Sequence, residues 1–174
     1  MILGLVAAKD NSTRFPGKNK HIYKGLPLFW HSVQPLLDCN EVDDVHVITD
    51  SPLIKGFCRV KGVGVIWRPK NASRDEDKLI NILRFGYYSL DTQYDITVGI
   101  MANCPGHQSE SISQAISLMK SQNLREVRSF NSRGEESGVL VLSSVVMHDN
   151  MDVSYYIGSV TSNVKEIHMM EDLV

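Results

Sequence analysis

Short apolar runs alternate with stretches of helical periodicity along most of the chain. Residues 2–7 (ILGLVA) are apolar without a break and end at a polar loop, which predicts a strand covered on both faces. In KGLPLFWHSVQPLLDCN, Leu28, Phe29, Val33, Leu36 and Leu37 recur at near-helical spacing. Pro27 suits the first turn of that helix, whereas Pro35 demands a bend or a looser first turn. The β-branched run from Val45 to Thr49 predicts a second strand, ended by Asp50 and Ser51; a short helix over 52–61 then leads to a strand over 63–67. From Asp75 to Leu90, a predicted helix, Leu79, Ile82, Leu83 and Tyr87 share one face. YDITVGIMA carries the strongest strand signal. Glu110 to Gln122 is an amphipathic helix with Ile112, Ala115, Ile116 and Met119 as its core stripe.

The alternation weakens in the last third. RSFNSRGEESG is polar and turn-rich, with a flexible loop expected near residues 131–138; VLVLSSVVM reads as a strand and NVKEIHM as a last short strand. Nearly all-apolar strands separated by helices imply parallel pairing with both faces buried. The expected fold class is α/β, with three layers around a mainly parallel sheet and residues 1–174 forming a single domain.

Composition narrows the function more than the fold. A hydrophobic content of 43% and a charged content of 22% fit an ordinary globular domain. The net charge of −2 gives no global pull toward nucleic acid or an anionic membrane. Cys39, Cys58 and Cys104 are odd in number and widely spaced, which argues against a disulfide framework or a zinc site. The opening MILGLVAA has no basic leader and reads as a strand rather than a signal peptide, and no apolar run is long enough to span a bilayer. A cytoplasmic location is expected, with neither nucleic acid nor membrane among the partners.

The candidate chemistry lies in LVAAKDNSTRFPGKN, from Leu5 to Asn19. Lys9, Arg14 and Lys18 fall within ten residues at the carboxyl end of the first strand, interleaved with the small residues Ser12, Thr13 and Gly17. Open α/β sheets place ligands at that end of their strands. Small residues let backbone N–H groups approach phosphate oxygens while the cations neutralise their charge. A solvated basic loop is the alternative. Other residues also admit two readings. Asp50 fits a helix cap or a site, Met101 a pocket wall or core, and Asp75 a helix N-terminal acid or a ligand. Glu166 and His168, two apart on an expected strand, fit joint metal binding or an exposed strand face. His21, His31, His46 and His148 show no partner pattern and read as surface or structural residues.

Ala8, Ser12, Arg14, Pro16, Lys18 and Asn19 fall at the spacing A-x-x-x-S-x-R-x-P-x-K-N. They are followed in order by KGLPLFWHSV, VHVITDS, RPKNASRD, YDITVGIMANCPGHQSESI and EIHMMEDL. This succession resembles the sugar-activating cytidylyltransferases that make CMP-sialic acid and CMP-Kdo, over nearly the whole chain. The resemblance implies a Rossmann-like nucleotide-diphospho-sugar transferase fold and transfer of CMP from CTP to an acidic sugar of the 2-keto acid type, with release of pyrophosphate. It implies roles for single residues as well. Lys18 would meet the α-phosphate, and Lys9 and Arg14 the β- and γ-phosphates. Asn19 would donate a hydrogen bond to phosphate or acceptor. Ala8, Ser12 and the backbone at Asp10 and Asn11 would line the cradle, with Arg68 reaching the nucleotide from a later loop. Mg²⁺, or Mn²⁺ in its place, would be held by Glu166 and His168, which stand where the family has an Asp pair, with Asp50 a further candidate. Lys9 and His107 replace arginines of the family pattern, and Met101 a glutamine. The chain has no room for the lobe through which the sialic acid enzymes dimerise, and a homodimer is left open. Two other readings stand beside this one: a nucleotidyltransferase using another nucleotide or a sugar phosphate, and a nucleotide-binding protein of this fold that has lost catalysis.

Overall fold

A computed structural model describes residues 1–10, 12–69, 78–148 and 156–173 of the protein. β1 (Ile2–Ala7) is apolar throughout because both its faces are covered. Ile2 and Val6 pack into one core with Val33, Leu36, Ile54, Ile112 and Ile116, while Leu3 and Leu5 enter a second core with Ile48, Leu83 and Leu142. These two cores separate three layers. The first holds α1 (Trp30–Leu37), α2 (Pro52–Val60) and α4 (Ser109–Gln122), and the opposite layer holds α3 (Leu79–Tyr88) and α5 (Ser144–His148). Between them lies a seven-stranded sheet in the order β5-β4-β1-β6-β8-β7-β9. Its strands are β1, β4 (Asp44–Thr49), β5 (Gly64–Trp67), β6 (Ile96–Met101), β7 (Glu126–Phe130), β8 (Glu136–Ser143) and β9 (Ile157–Thr161). A separate hairpin pairs β2 (Ile22–Tyr23) with β3 (Leu26–Pro27).

The chain steps from β1 outward to β4 and β5, then crosses back beneath α3 to β6 on the other side of β1. That reversal opens a crevice at the carboxyl ends of β1, β4 and β6, the usual ligand position in such sheets. α3 crosses close to the strands because Gly99 on β6 carries no side chain. A Cβ there would lie 2.3 Å from a Leu83 methyl group. Strands β1, β4, β5 and β6 pair in parallel, and β8 runs antiparallel to both of its neighbours, so the expected mainly parallel α/β sheet is present.

Several local expectations are corrected. Pro27 sits on β3 and not in a helix; the type I′ geometry of Lys24 (φ 47) and Gly25 (φ 84) turns the chain there, and α1 begins at Trp30. Pro35 lies inside α1. The polar stretch from residue 128 hides β7, and the loop at 131–135 is a hydrogen-bonded hairpin turn, with Asn131 N–H donating to Glu135 O at 2.8 Å. Ser144–His148 is helical and not strand, β9 falls at 157–161, and residues 163–169 pair with no strand.

Candidate functional site

The loop after β1 is held at both ends. At its start, the Ala8 N–H donates to Ile48 O at 2.9 Å, continuing the β1–β4 pairing past the strand. The Asp10 N–H then donates to the Asp50 carboxylate at 2.6 Å, and the Asp10 carboxylate pairs with Lys20 Nζ at 2.7 Å. Midway, Phe15 turns inward and its ring packs against His21. At its end, Asn19 O accepts the Phe29 N–H at 3.1 Å, and Asn19 Nδ2 donates back to Lys9 O at 2.9 Å. The loop is thus a closed frame. Gly17, at φ 72, supplies its left-handed corner.

Inside this frame lies a cavity of about 580 Å³, lined by Lys9, Ser12, Arg14 and Lys18 from the loop. Ala8, Asn19, Asp50, Arg68, Met101, Glu166 and His168 complete the expected set, so eleven of the thirteen sequence-derived candidates share one pocket. Asp10 is the exception among the described residues. Its amide, expected to face a ligand, is consumed by the Asp50 carboxylate at the end of β4, which ties the loop back to the sheet. Asn11 lies outside the described residues, and so does Asp75, which the sequence left between a helix N-terminal acid and a ligand. Asn19 lines the pocket and also serves the loop. One of its amide hydrogens is committed to the loop itself, and its Oδ1 is buried without a hydrogen-bond partner.

Asp50 is not the helix cap. Ser51 holds that place, its hydroxyl accepting from Ile54 N, with Pro52 in the first turn. Arg68 is buried at the end of β5, where its N–H continues the sheet by donating to Thr49 O at 3.0 Å. Met101 is pocket wall, and its carbonyl is fixed by the Ser32 hydroxyl at 3.0 Å.

Lys18 is half-buried, and its ammonium donates to Ile167 O at 2.9 Å. Burial lowers its pKa; Glu166 opposes that shift and the neighbouring Lys9 and Arg14 reinforce it. Glu166 is placed by Asn103, whose Nδ2 donates to one carboxylate oxygen at 2.6 Å; the other lies 3.3 Å from His168 Nε2. Glu166 and His168 do meet, then, but on an extended segment and not on a strand. Asn103 also accepts the Ile167 N–H at 2.7 Å, so it clamps the whole strap. Sequence reading missed Asn103, as well as Leu79 and Ile82, which give the pocket its apolar side. Position was the one available signal: Asn103 follows the carboxyl end of the best strand.

Among the described residues, no group of three or more His, Cys, Asp or Glu side chains could hold a metal ion. Burial pushes the Cys104 thiol up to about 12, leaving it unreactive near neutral pH. Burial pushes His107 down to about 4, so its ring, bonded to Ser162 Oγ at 3.1 Å, is neutral and cannot supply an arginine's charge.

A sequence model described as cytidylyltransferase matches residues 3–170. The chain is 28% identical over 123 residues to the CMP-N,N'-diacetyllegionaminic acid synthase of Legionella pneumophila, covering 68% of this chain and 53% of that protein. It is 24% identical over 150 residues to the N-acylneuraminate cytidylyltransferase of Streptococcus agalactiae, covering 84% of this chain and 33% of that one. The chain therefore spans about half of the first relative and a third of the second. Its fold is similar to that of CMP:2-keto-3-deoxy-manno-octonic acid synthetase complexed with CTP. The TM-score is 0.82 at 13% identity, covering 99% of this chain and 95% of that structure.

Proposed function

The chain belongs to the cytidylyltransferase family, and from that premise we propose that its pocket binds CTP and that it transfers CMP to an acidic sugar of the 2-keto acid type. The carrying observation is the gathering of Lys9, Arg14, Lys18 and Arg68 around one cavity at the carboxyl ends of β1, β4 and β6. Four cations there outnumber the two carboxylates, Asp50 and Glu166, so the pocket favours a polyanion. The apolar side formed by Leu79, Ile82 and Met101 suits the base.

In the proposed reaction, a hydroxyl oxygen of the sugar attacks the α-phosphorus. The bond from that phosphorus to its bridging oxygen breaks, pyrophosphate leaves with the electron pair, and the hydroxyl proton is lost to water. Lys18 neutralises the charge that builds on the α-phosphate, while Lys9 and Arg14 hold the departing end. Burial lowers the Lys18 pKa and the nearby Glu166 opposes that shift, so the donor stands in a partly dry site.

The donor set fits a divalent ion carried mainly by the nucleotide. Mg²⁺ commonly takes one or two protein carboxylates plus phosphate oxygens and water. Glu166 with His168 beside it, or Asp50 in their place, would supply that protein group. Such an ion would draw charge from the triphosphate and so ease loss of pyrophosphate. A second reading, binding without turnover, is favoured by Met101, which presents no amide to the ligand. A cytoplasmic location, a role in polysaccharide biosynthesis and a homodimer belong to the same proposal.

The test is pyrophosphate release with each of the four nucleoside triphosphates and a panel of sugar acids, with Mg²⁺ or Mn²⁺. Release with CTP and a sugar acid alone is expected, faster with Mn²⁺ because imidazole is a poor partner for Mg²⁺. His168→Asp should move that preference back toward Mg²⁺. Tight CTP binding with no release for any sugar acid selects the second reading.

A further inference from the structure

The outer flank of α2 is left uncovered by the described part of the chain. Ile54 and Cys58 are buried in the core, and Phe57 packs against it from one side. Leu53 and Val60 lie seven residues apart on the opposite side of the helix, with Gly56 between them on that line. They are 71% and 86% exposed, and Trp67, at the adjoining end of β5, is 45% exposed. Single apolar side chains on a surface are ordinary, but three large ones gathered on one flank mark a contact surface.

Cations frame the same flank. Lys55 Nζ lies over the Trp67 ring at 5.3 Å, and Lys61 Nζ lies 5.8 Å from the centres of the Trp30 and Phe57 rings. Arg59 is exposed one turn beyond Lys55. From residue 51 to 69 the chain carries Lys55, Arg59, Lys61 and Arg68 and no Asp or Glu, although the whole protein has a net charge of −2. The total thus hides a local positive face. Alternation along the end of β5 sends Trp67 outward and Arg68 into the pocket, so Arg68 serves the pocket and the other three cations serve the flank.

Charge and shape together select the occupant. A second copy seated on this flank across a two-fold axis would set the cations against their own kind. A nucleic acid would answer the charges and leave Leu53 and Val60 without an apolar partner. An anionic lipid surface answers both. Its headgroups meet the ammonium and guanidinium groups, the aliphatic side chains enter the acyl boundary, and tryptophan settles at the level between. Lysine stems laid along aromatic rings suit that level too. The pocket takes no wall from α2, so the flank is a ridge, and a ridge can lie on a bilayer without a complementary groove.

We propose that α2 and Trp67 form a docking face for an anionic phospholipid bilayer, with Lys55, Arg59 and Lys61 at the headgroups and Leu53, Val60 and Trp67 in the boundary beneath them. None of these residues lines the pocket, so the proposal stands apart from the CTP reading.

The test is co-sedimentation with phosphatidylcholine vesicles, with and without about one-third phosphatidylglycerol, read together with tryptophan emission. Of the two tryptophans, Trp30 is buried and Trp67 exposed, so Trp67 is the reporter. The anionic vesicles should bind the protein and shift its emission to the blue, and Trp67→Phe should remove that shift. Pure phosphatidylcholine should do neither, and about 1 M salt should release the protein, because it shortens the screening length to about 3 Å. Replacing Lys55, Arg59 and Lys61 together with Gln should weaken binding about 100-fold. Leu53→Ser with Val60→Ser should weaken it at least about tenfold. All five positions are exposed, and an unchanged Tm would show that the fold is kept. The control replaces Lys24, Lys120 and Arg133, three exposed cations elsewhere, with Gln, and it should bind as wild type does. Equal weakening in the control, or no binding to anionic vesicles, overturns the proposal. Binding to a polyglutamate chain through Lys55, Arg59 and Lys61 without binding to vesicles gives the face to an acidic protein and overturns it as well.

Discussion

At the scale of the residue, Lys18 sits under opposing influences. Burial works against its charge, while Glu166 and the Ile167 carbonyl support it. If that charge acts on the α-phosphate, Lys18→Ala should lower kcat by roughly 10²–10³, as loss of one preorganised donor typically does, with a smaller change in KM. Steady-state kinetics checks this; a raised KM at unchanged kcat would assign Lys18 to ground-state binding alone. The cations were legible in the sequence because their spacing and position after the first strand are local properties. The partners of each were not. That Asn19 closes the loop on Lys9 O, and that Asn103 sets Glu166, depends on contacts between residues ten and sixty-three apart.

At the scale of the element, the loop from Ala8 to Asn19 owes its shape to its neighbours as much as to itself. Asp50 and Ser51 divide the labour at the end of β4. Ser51 caps α2, and Asp50 reaches across to the Asp10 amide. Ser51→Ala should therefore cost about 1 kcal/mol of stability and leave nucleotide affinity alone. Asp50→Ala should weaken CTP binding, since a part-buried N–H loses its acceptor and the loop its tether. Asp50→Asn separates the two roles proposed for that carboxylate, because it keeps the oxygen acceptor but not the charge. Retained CTP affinity in Asp50→Asn fits the tether, and its loss with Mg²⁺ present fits metal binding. Calorimetry on the three variants reads both. The strands β1 and β6 were plain in the sequence, since burial on both faces leaves a continuous apolar run, and β4 and β5 were marked by short β-branched runs. β7 and β9 were not. β7 is split between polar and apolar positions, with Arg128 held between Glu126 and Glu136, and β9 is an edge strand with an exposed alternation. Pairing across the sheet, and not local pattern, makes these two strands.

At the scale of the whole molecule, the sheet's reversal at β1 and β6 opens the pocket, and the last segment of the chain closes its far side with Glu166 and His168. Two cavities thus meet at one wall formed by Glu166 and His168, the second lined by the β7–β8 turn and the strap after β9. This division was out of reach of the sequence, because the β7–β8 turn and the strap after β9 are joined only by the fold. The central claim is that the larger cavity takes CTP. The most direct measurement is thermal unfolding with Mg²⁺ and each of CTP, UTP, ATP and GTP in turn. A ligand at about 100 times its Kd stabilises the folded state by roughly 2.7 kcal/mol, which for a domain of this size is about 5–10 °C in Tm. CTP should give a shift of that order and exceed the other three; equal shifts, or none with any nucleotide, would contradict the account.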